Sequence, residues 1–235
     1  MAENDEGLQR RSETWFEKAL KIDPNDPDAL VGEAYTYFID YSMGWPTPDF
    51  DYESKVLGQV DRVVTLDHDH VWAYYVKAVY LANSKRANEA VGTAEAGLAI
   101  DPNFARLYLA RAMAEIPLGR FEEAISDVHK AMRLSPRDPE VGWWHNLLAQ
   151  ANFGVGKYQE AIDAAKQAID GGFRYVWPYA TLASAYAAQG QVDDAKSAVA
   201  EARRLNPKLT VKWFAPFGMP DLYLEGLRKA GLHEG

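Results

Sequence analysis

FEEAISDVHKAMRLSP, residues 121–136, returns three more times along the chain: as ANEAVGTAEAGLAIDP (87–102), YQEAIDAAKQAIDGGF (158–173) and VDDAKSAVAEARRLNP (192–207). The four stretches align on Ala90, Ala124, Ala161 and Ala195, with spacings of 34, 37 and 34 residues. Seven residues after each alanine stands Gly97, Ala131, Ala168 or Ala202, and seven residues is nearly two helical turns. The pattern therefore predicts helices with one face of small side chains, which lets a neighbouring helix approach closely. Pro102, Pro136 and Pro207 close three of the four, where proline ends a helix.

Working outward, each stretch is preceded by another apolar segment of helical period: VWAYYVKAVYLAN (71–83), ARLYLARAMAEIPL (105–118), GWWHNLLAQANFGV (142–155) and VWPYATLASAYAAQ (176–189). Gly119, Gly156 and Gly190 follow three of them, suited to the left-handed residue beyond a helix end. Each unit thus reads as a helical hairpin. One hairpin cannot bury both of its apolar faces, so stacking on neighbours must supply the core. The phase continues backwards through PDALVGEAYTYFIDY (27–41) and YESKVLGQVDRVVTLD (52–67), with Val56, Val63 and His68 in the alanine, small-residue and proline slots. An insertion, SMGWPTPDFD (42–51), separates these two and is expected to be an ordered loop. SETWFEKALKIDP (12–24) matches a second helix alone, so the chain is expected to open in the middle of a repeat.

This pattern resembles the tetratricopeptide repeat, a helix-turn-helix of about 34 residues. Tyr108, Arg111, Ala112, Gly119, Phe121, Ala124, Ala131 and Pro136 carry the resemblance in one phase. His145, Leu148, Ala149, Gly156, Tyr158, Ala161 and Ala168 carry it in the next, and Tyr179, Leu182, Ala183, Tyr186, Gly190, Ala195, Ala202 and Pro207 in a third. The departures are the longer spacing around RDPEVGWW, the Gly171-Gly172 pair and His68. The resemblance implies an all-α, right-handed superhelical solenoid. Its expected parts are a half repeat (1–26), five hairpins (27–70, 71–104, 105–141, 142–175 and 176–207) and a C-terminal capping segment (208–235) with a helix from about 221 to 232. A narrower resemblance joins DLYLEGLRKAGLHEG (221–235) and the early Gly44-Trp45 insertion to the repeat regions that follow the catalytic domain in bacterial class III adenylate cyclase-like signalling proteins. Nothing in the chain resembles the cyclase domain itself.

Composition narrows the functional classes. With 48% hydrophobic residues in a chain of 235, a sizeable core is possible, and general disorder is excluded. The net charge of −9 argues against nucleic acid and anionic membrane surfaces as partners. The absence of cysteine excludes disulfides, thiolate metal sites and cysteine nucleophiles. MAENDEGLQRRSETW is not a leader, and no apolar run approaches the roughly 18 residues of a membrane span, so a soluble cytoplasmic protein is expected.

Catalytic motifs are wanting: no phosphate-cradling GxxxxGK[ST] or GxGxxG, no GxSxG and no HExxH occurs. Asp67-His68-Asp69-His70 offers ligand types suited to a divalent ion, but no further ligand cluster accompanies it, and it reads as an inter-helix loop with a capped helix start. Glu122-Glu123 and Asp193-Asp194 open second helices, where negative charge meets the positive end of the helix dipole. No catalytic residue, metal or cofactor is assigned, and binding is the expected activity.

Proteins of this resemblance hold peptides or partner helices on the inner, concave wall built from first helices. Positions 2, 5, 9 and 12 of each first helix, carried over, make the candidate groove: Tyr35, Phe38, Trp72, Tyr75, Val79, Arg106, Leu109, Met113, Trp143, Asn146, Gln150 and Trp177. Trp72, Trp143 and Trp177 recur at one repeat position and are either groove anchors or cover for the hairpin tops and stack. Arg106 and Asn146 alone match the basic and amide groups that chaperone-tail binders use, so a carboxylate-ended chaperone peptide is not the expected ligand. The expected partner is a protein or peptide. Self-association through the open N-terminal edge and a small-ligand or metal sensor are the other classes.

Overall fold

The alanine ladder does build hairpins. The computed structural model describes residues 15–43, 50–214 and 217–235, and these form helices and turns without a strand. The helices are α1 (15–22), α2 (Pro27–Met43), α3 (Tyr52–Leu66), α4 (Val71–Asn83), α5 (Ala87–Ile100), α6 (Ala105–Glu115), α7 (Phe121–Leu134), α8 (Val141–Gly154), α9 (Tyr158–Asp170), α10 (Val176–Ala188), α11 (Val192–Leu205), α12 (Val211–Phe214) and α13 (Asp221–Lys229). A short 3-10 turn, Ile116–Leu118, extends α6. The chain divides into two compact units, Met1–Pro102 and Asn103–Gly235. The N-terminal unit holds α1 and the hairpins α2–α3 and α4–α5; the C-terminal unit holds the hairpins α6–α7, α8–α9 and α10–α11 with α12 and α13.

Within each unit a second helix packs on its own first helix and on the first helix that follows. Thus α3 lies against α2 and α4, α7 against α6 and α8, and α9 against α8 and α10. The small-residue positions make this possible: Ala90, Ala124, Ala161, Ala195 and Val56 are fully buried, as are Val63, Ala131 and Ala168 seven residues later. A larger side chain at any of them would force helices apart at a cost of about 1–3 kcal/mol. Acidic first turns (Glu122, Glu123; Asp193, Asp194) stand opposite basic last turns (Arg133; Arg203, Arg204) on α7 and α11, matching the dipole of each helix.

The corners between first and second helices share one geometry. A left-handed residue sits at Lys85, Gly119, Gly156 and Gly190, with φ of 63°, 73°, 78° and 78°. The next amide reaches back to a carbonyl five residues earlier, Arg86 to Leu81, Arg120 to Glu115, Lys157 to Asn152 and Gln191 to Tyr186, at 2.9, 3.0, 2.9 and 2.8 Å. This is the bond that satisfies the last carbonyls of a helix ending in a left-handed residue. Polar ties also cross the hairpins: Arg111 donates to both carboxylate oxygens of Asp127 at 2.6 and 2.8 Å, joining α6 to α7. At the matching level of the first hairpin, Gln59 on α3 donates to Glu33 on α2.

Three expectations need adjustment. The loop over 42–51 begins later, because α2 runs on to Met43; residues 44–49, with Gly44 and Trp45, lie outside the described residues. The half repeat appears as α1, since residues 1–14 lie outside the described residues. The cap helix is shorter than expected. It ends at Lys229, ahead of a turn at Gly231, and a short helix α12 precedes it. Moreover, α13 packs chiefly on α10 and only lightly on α11. A next first helix would have lain on α11, as α8 lies on α7 and α10 on α9.

Candidate functional site

In the N-terminal unit, positions 2 and 5 of α4 meet position 9 of α2, because neighbouring first helices share one face. The Tyr35 ring lies 6.4 Å from Trp72, edge-on, and 6.1 Å from Tyr75. Trp72 and Tyr75 meet edge-to-face at 5.4 Å, and Phe38 lies 6.0 Å from Tyr35. Such offset and edge-on pairs hold rings in fixed orientation and contribute about 0.5–1.5 kcal/mol each beyond burial. Phe38, Tyr75 and Val79 are buried and Tyr35 partly so, whereas Trp72 keeps 41% of its surface exposed. The Asp28 carboxylate, on the same α2 face, accepts from or pairs with the His70 ring at 3.1 Å. This unit therefore presents a tryptophan seated on tyrosines and bordered by an exposed carboxylate.

The C-terminal unit arranges the same repeat positions differently. Arg106 is held by Glu140 at 2.5 Å and Asp138 at 3.6 Å, so its guanidinium already faces two carboxylates. Leu109, Asn146 and Gln150 are buried, while Met113 and Trp143 are half-buried against the core. Trp177 is half-buried against the chain's own C-terminal segment, with ring centroids of Trp213, Phe214 and Phe217 at 5.4, 5.2 and 4.9 Å.

That segment continues along the first-helix face. Tyr223 on α13 is fully buried; its hydroxyl is 3.2 Å from Thr181 Oγ1, and its carbonyl accepts from Ser184 Oγ at 2.8 Å. Burial pushes the Tyr223 phenol well above its ordinary range, against the opposing effect of the Thr181 bond, so it is neutral at any physiological pH. Its ring meets Phe153 of α8 edge-to-face at 5.0 Å. Gly226 lies so close to α10 that a Cβ there would stand 2.7 Å from Ser184 Cα, and one at Gly218 would stand 2.5 Å from Pro117 Cα, just beyond α6.

Trp213, Phe214, Phe217, Tyr223 and Gly226 were not among the groove residues expected from the repeat positions. The available signal was WFAPF (213–217), three large aromatics in five residues, which is too apolar for a cap facing only solvent.

One buried acid stands out. Glu115, 5% exposed at the end of α6, has its pKa raised to about 7 by burial first and then by Asp127, with Arg111 opposing. Arg111 is engaged by Asp127 and lies 3.9 Å from Glu115. In α8, burial and then the neighbouring His129 lower the pKa of His145. Among the described residues no group of three or more histidines and carboxylates could hold a metal ion. In the Asp67–His70 run the two rings go separate ways, His68 to Asp69 and His70 to Asp28. No described helix is long and apolar enough to cross a membrane.

Two tetratricopeptide-repeat family models match the chain, over residues 103–172 and 152–211. Residues 103–211 are tetratricopeptide repeats. The chain is 31% identical, over 68 residues, to the DnaJ homolog subfamily C member 7 homolog of Dictyostelium discoideum, a match that covers 29% of this chain and 13% of that protein. In fold the chain is similar to a chain of the APC/C hetero-tetramer Cut9-Hcn1, at 14% identity and a TM-score of 0.77, covering 96% of this chain and 40% of that one. It is also similar to YrrB, described as a tetratricopeptide repeat protein with an unusual peptide-binding site, at 16% identity and a TM-score of 0.52, covering 82% and 93%. The chain thus spans much less than two thirds of both the curated relative and the Cut9-Hcn1 chain. At these identities the structures establish the fold, a tetratricopeptide-type α-α solenoid. Repeats of this kind generally serve as scaffolds for protein interaction rather than as catalysts.

Proposed function

We propose that the protein is a non-catalytic interaction scaffold whose N-terminal unit holds a peptide or partner helix on the aromatic face of α2 and α4. The observation that carries this reading is Trp72, 41% exposed at a position where Tyr35 and Tyr75 fix its orientation. A large, pre-oriented and solvent-accessible aromatic is the side chain most enriched at binding hot spots, and little ordering entropy remains to oppose binding. The partner offers an apolar side chain to Trp72 and, beside it, a basic or donor group to Asp28. A carboxylate-ended peptide is disfavoured, because Arg106 is already engaged by Glu140 and Asp138. The unusual peptide-binding site of YrrB, a neighbour in fold, supports the general mode. The resemblance of residues 221–235 to cyclase-associated repeat regions supports a bacterial signalling setting, with the scaffold recruiting or regulating a neighbouring domain.

Panning a displayed peptide library against the wild-type protein tests this directly. Enriched peptides should lose at least about tenfold in affinity, some 1.4 kcal/mol, on Trp72→Ala. Peptides that bind Trp72→Ala as tightly as wild type, or no enrichment at all, would sink the reading. Self-association is a second reading, favoured by Trp15 and Ile22 of α1, which are 68% and 88% exposed. Light scattering after size-exclusion chromatography distinguishes it: a dimer that Trp15→Glu converts to monomer supports it, and a wild-type monomer at high concentration removes it.

A further inference from the structure

The C-terminal segment does not behave as the last turn of the solenoid. A continuing first helix packs on the second helix before it, yet α13 packs chiefly on α10. The surfaces it covers belong to the first helices: Trp177, Thr181 and Ser184 at positions 2, 6 and 9 of α10, Phe153 near the end of α8, and Pro117 just past position 12 of α6. In the N-terminal unit the matching face brings Trp72, position 2 of α4 and 41% exposed, against the partly buried Tyr35 at position 9 of α2. One kind of surface is therefore presented in one unit and filled in the other.

We propose that the described residues of the C-terminal segment, 209–214 and 217–235, are an autoinhibitory occupant, a ligand held in cis on the first-helix face of the C-terminal unit. The proposal rests on the reading of first-helix faces as binding surfaces. Its chemistry specifies what the face accepts: a short helix with a tyrosine whose hydroxyl reaches Thr181, a glycine three residues on that lets the backbones touch at Ser184, and a preceding aromatic cluster around Trp177. An external helix of that pattern binds this unit by taking the place of the segment.

The segment is also built to move as one piece. Its two ends are tied to each other, Val211 N–H to the His233 carbonyl at 3.0 Å and Lys212 N–H to the Glu234 carbonyl at 3.1 Å. Arg228 grips Glu234 with two bonds, of 2.9 and 3.1 Å. Between it and α11 runs only the stretch 206–208, so release breaks no repeat hairpin. Such a self-tied element with a single connection has the form of a separately opening unit.

Two measurements decide the matter. In native-state hydrogen exchange of the wild-type protein, the protected amides of α13 should exchange together at least tenfold faster than those of α9 and α10. Exchange at the same rate as α9 and α10 would mean that the segment opens only with the whole unit, which overturns the proposal. The second measurement uses a fluorescent synthetic peptide of residues 209–235. It should bind Gly226→Leu, whose added side chain collides with Ser184 and dislodges the tethered copy, at least tenfold more tightly than it binds wild type. Equal binding to both also overturns the proposal. Should Gly226→Leu lose helicity, Trp213→Ala/Phe217→Ala, which weakens the grip on Trp177 without a backbone clash, takes its place with the same expectation. Neither measurement involves a substitution on the α2–α4 face, so failure here is separable from failure of the N-terminal reading.

Discussion

Trp72 and Trp177 occupy the same position in equivalent hairpins, and their surroundings are opposite. Trp72 stands on Tyr35 and Tyr75 with 41% of its surface exposed; Trp177 is ringed by Trp213, Phe214 and Phe217. The repeat dictates the direction of a side chain, since a given position on a first helix always points to the same face. What covers that face comes from outside the repeat, here from a C-terminal segment with no 34-residue kinship. The first-helix face of a solenoid is therefore read together with what its own termini place on it, and in the C-terminal unit α12 and α13 take that place.

The comparison breaks most sharply at Tyr223. Tyr223→Ala empties a fully buried ring site between α10 and Phe153 and leaves the Thr181 hydroxyl facing a void, while Ser184 keeps its bond to the backbone carbonyl, and the change should cost about 3–5 kcal/mol. Differential scanning calorimetry should show the C-terminal unit melting about 10 °C lower or more. Trp72→Ala removes an even larger ring but a half-exposed one, and should cost under about 1.5 kcal/mol while abolishing peptide capture. Equal losses of stability from the two substitutions would show that the two aromatic faces are alike and both structural.

A middle-sized effect separates the units by pH. Glu115, in the C-terminal unit, has a folded pKa of about 7 against an ordinary value of 4.5, so between these values the folded state binds more protons than the unfolded one. Stability therefore falls as pH rises from about 4.5 to 7 and levels off above, the reverse of an ion-paired carboxylate. Each unit of pKa shift corresponds to about 1.4 kcal/mol, and relaxation around the carboxyl brings the expected loss to about 1–3 kcal/mol. Glu115→Gln keeps the shape and removes the charge. Urea titrations at pH 5 and pH 8 should show the variant more stable than wild type at pH 8, with the difference closing at pH 5. A variant no more stable than wild type at pH 8 would mean that Arg111 compensates the charge fully.

Much of this was legible in the sequence. The alanine and seven-residue register located the hairpins, because close helix approach tolerates nothing larger at Ala124 or Ala131. The meeting of Tyr35 with Trp72 and Tyr75 follows from the same register. The seat of α13 was not legible. The spacing of Tyr223 and Gly226 is compatible with any helix surface, and only the fit against Thr181 and Ser184 selects α10 over α11. Nor did the periodicity reveal the burial of Leu109 and Gln150, for a position facing a groove and a position packed beneath it differ by a fraction of a turn.

The smallest effect concerns the corners. Gly119, Gly156 and Gly190 supply the left-handed residue of the three C-terminal corners, and in the N-terminal unit Lys85 supplies it with φ of 63°. A side chain in that conformation costs about 1 kcal/mol or more, because its Cβ crowds the following carbonyl. Glycine removes the crowding, although its freer unfolded chain returns about 0.4–1 kcal/mol of the benefit. Lys85→Gly should therefore raise the stability of the N-terminal unit by a few tenths to about 1 kcal/mol. Gly119→Lys should lower that of the C-terminal unit by a similar amount, and because nothing lies within 4 Å of a Cβ built at Gly119, its effect reads backbone strain alone. If Gly119→Lys destabilises as expected while Lys85→Gly gives nothing, the Lys85 side chain must return what its backbone costs. It shares a cavity with the carboxylates of Asp51 and Glu53, so raised salt should then destabilise wild type relative to Lys85→Gly. Indifference to salt would assign the whole effect to φ, and the N-terminal unit would be carrying a strain from which glycine spares its neighbour.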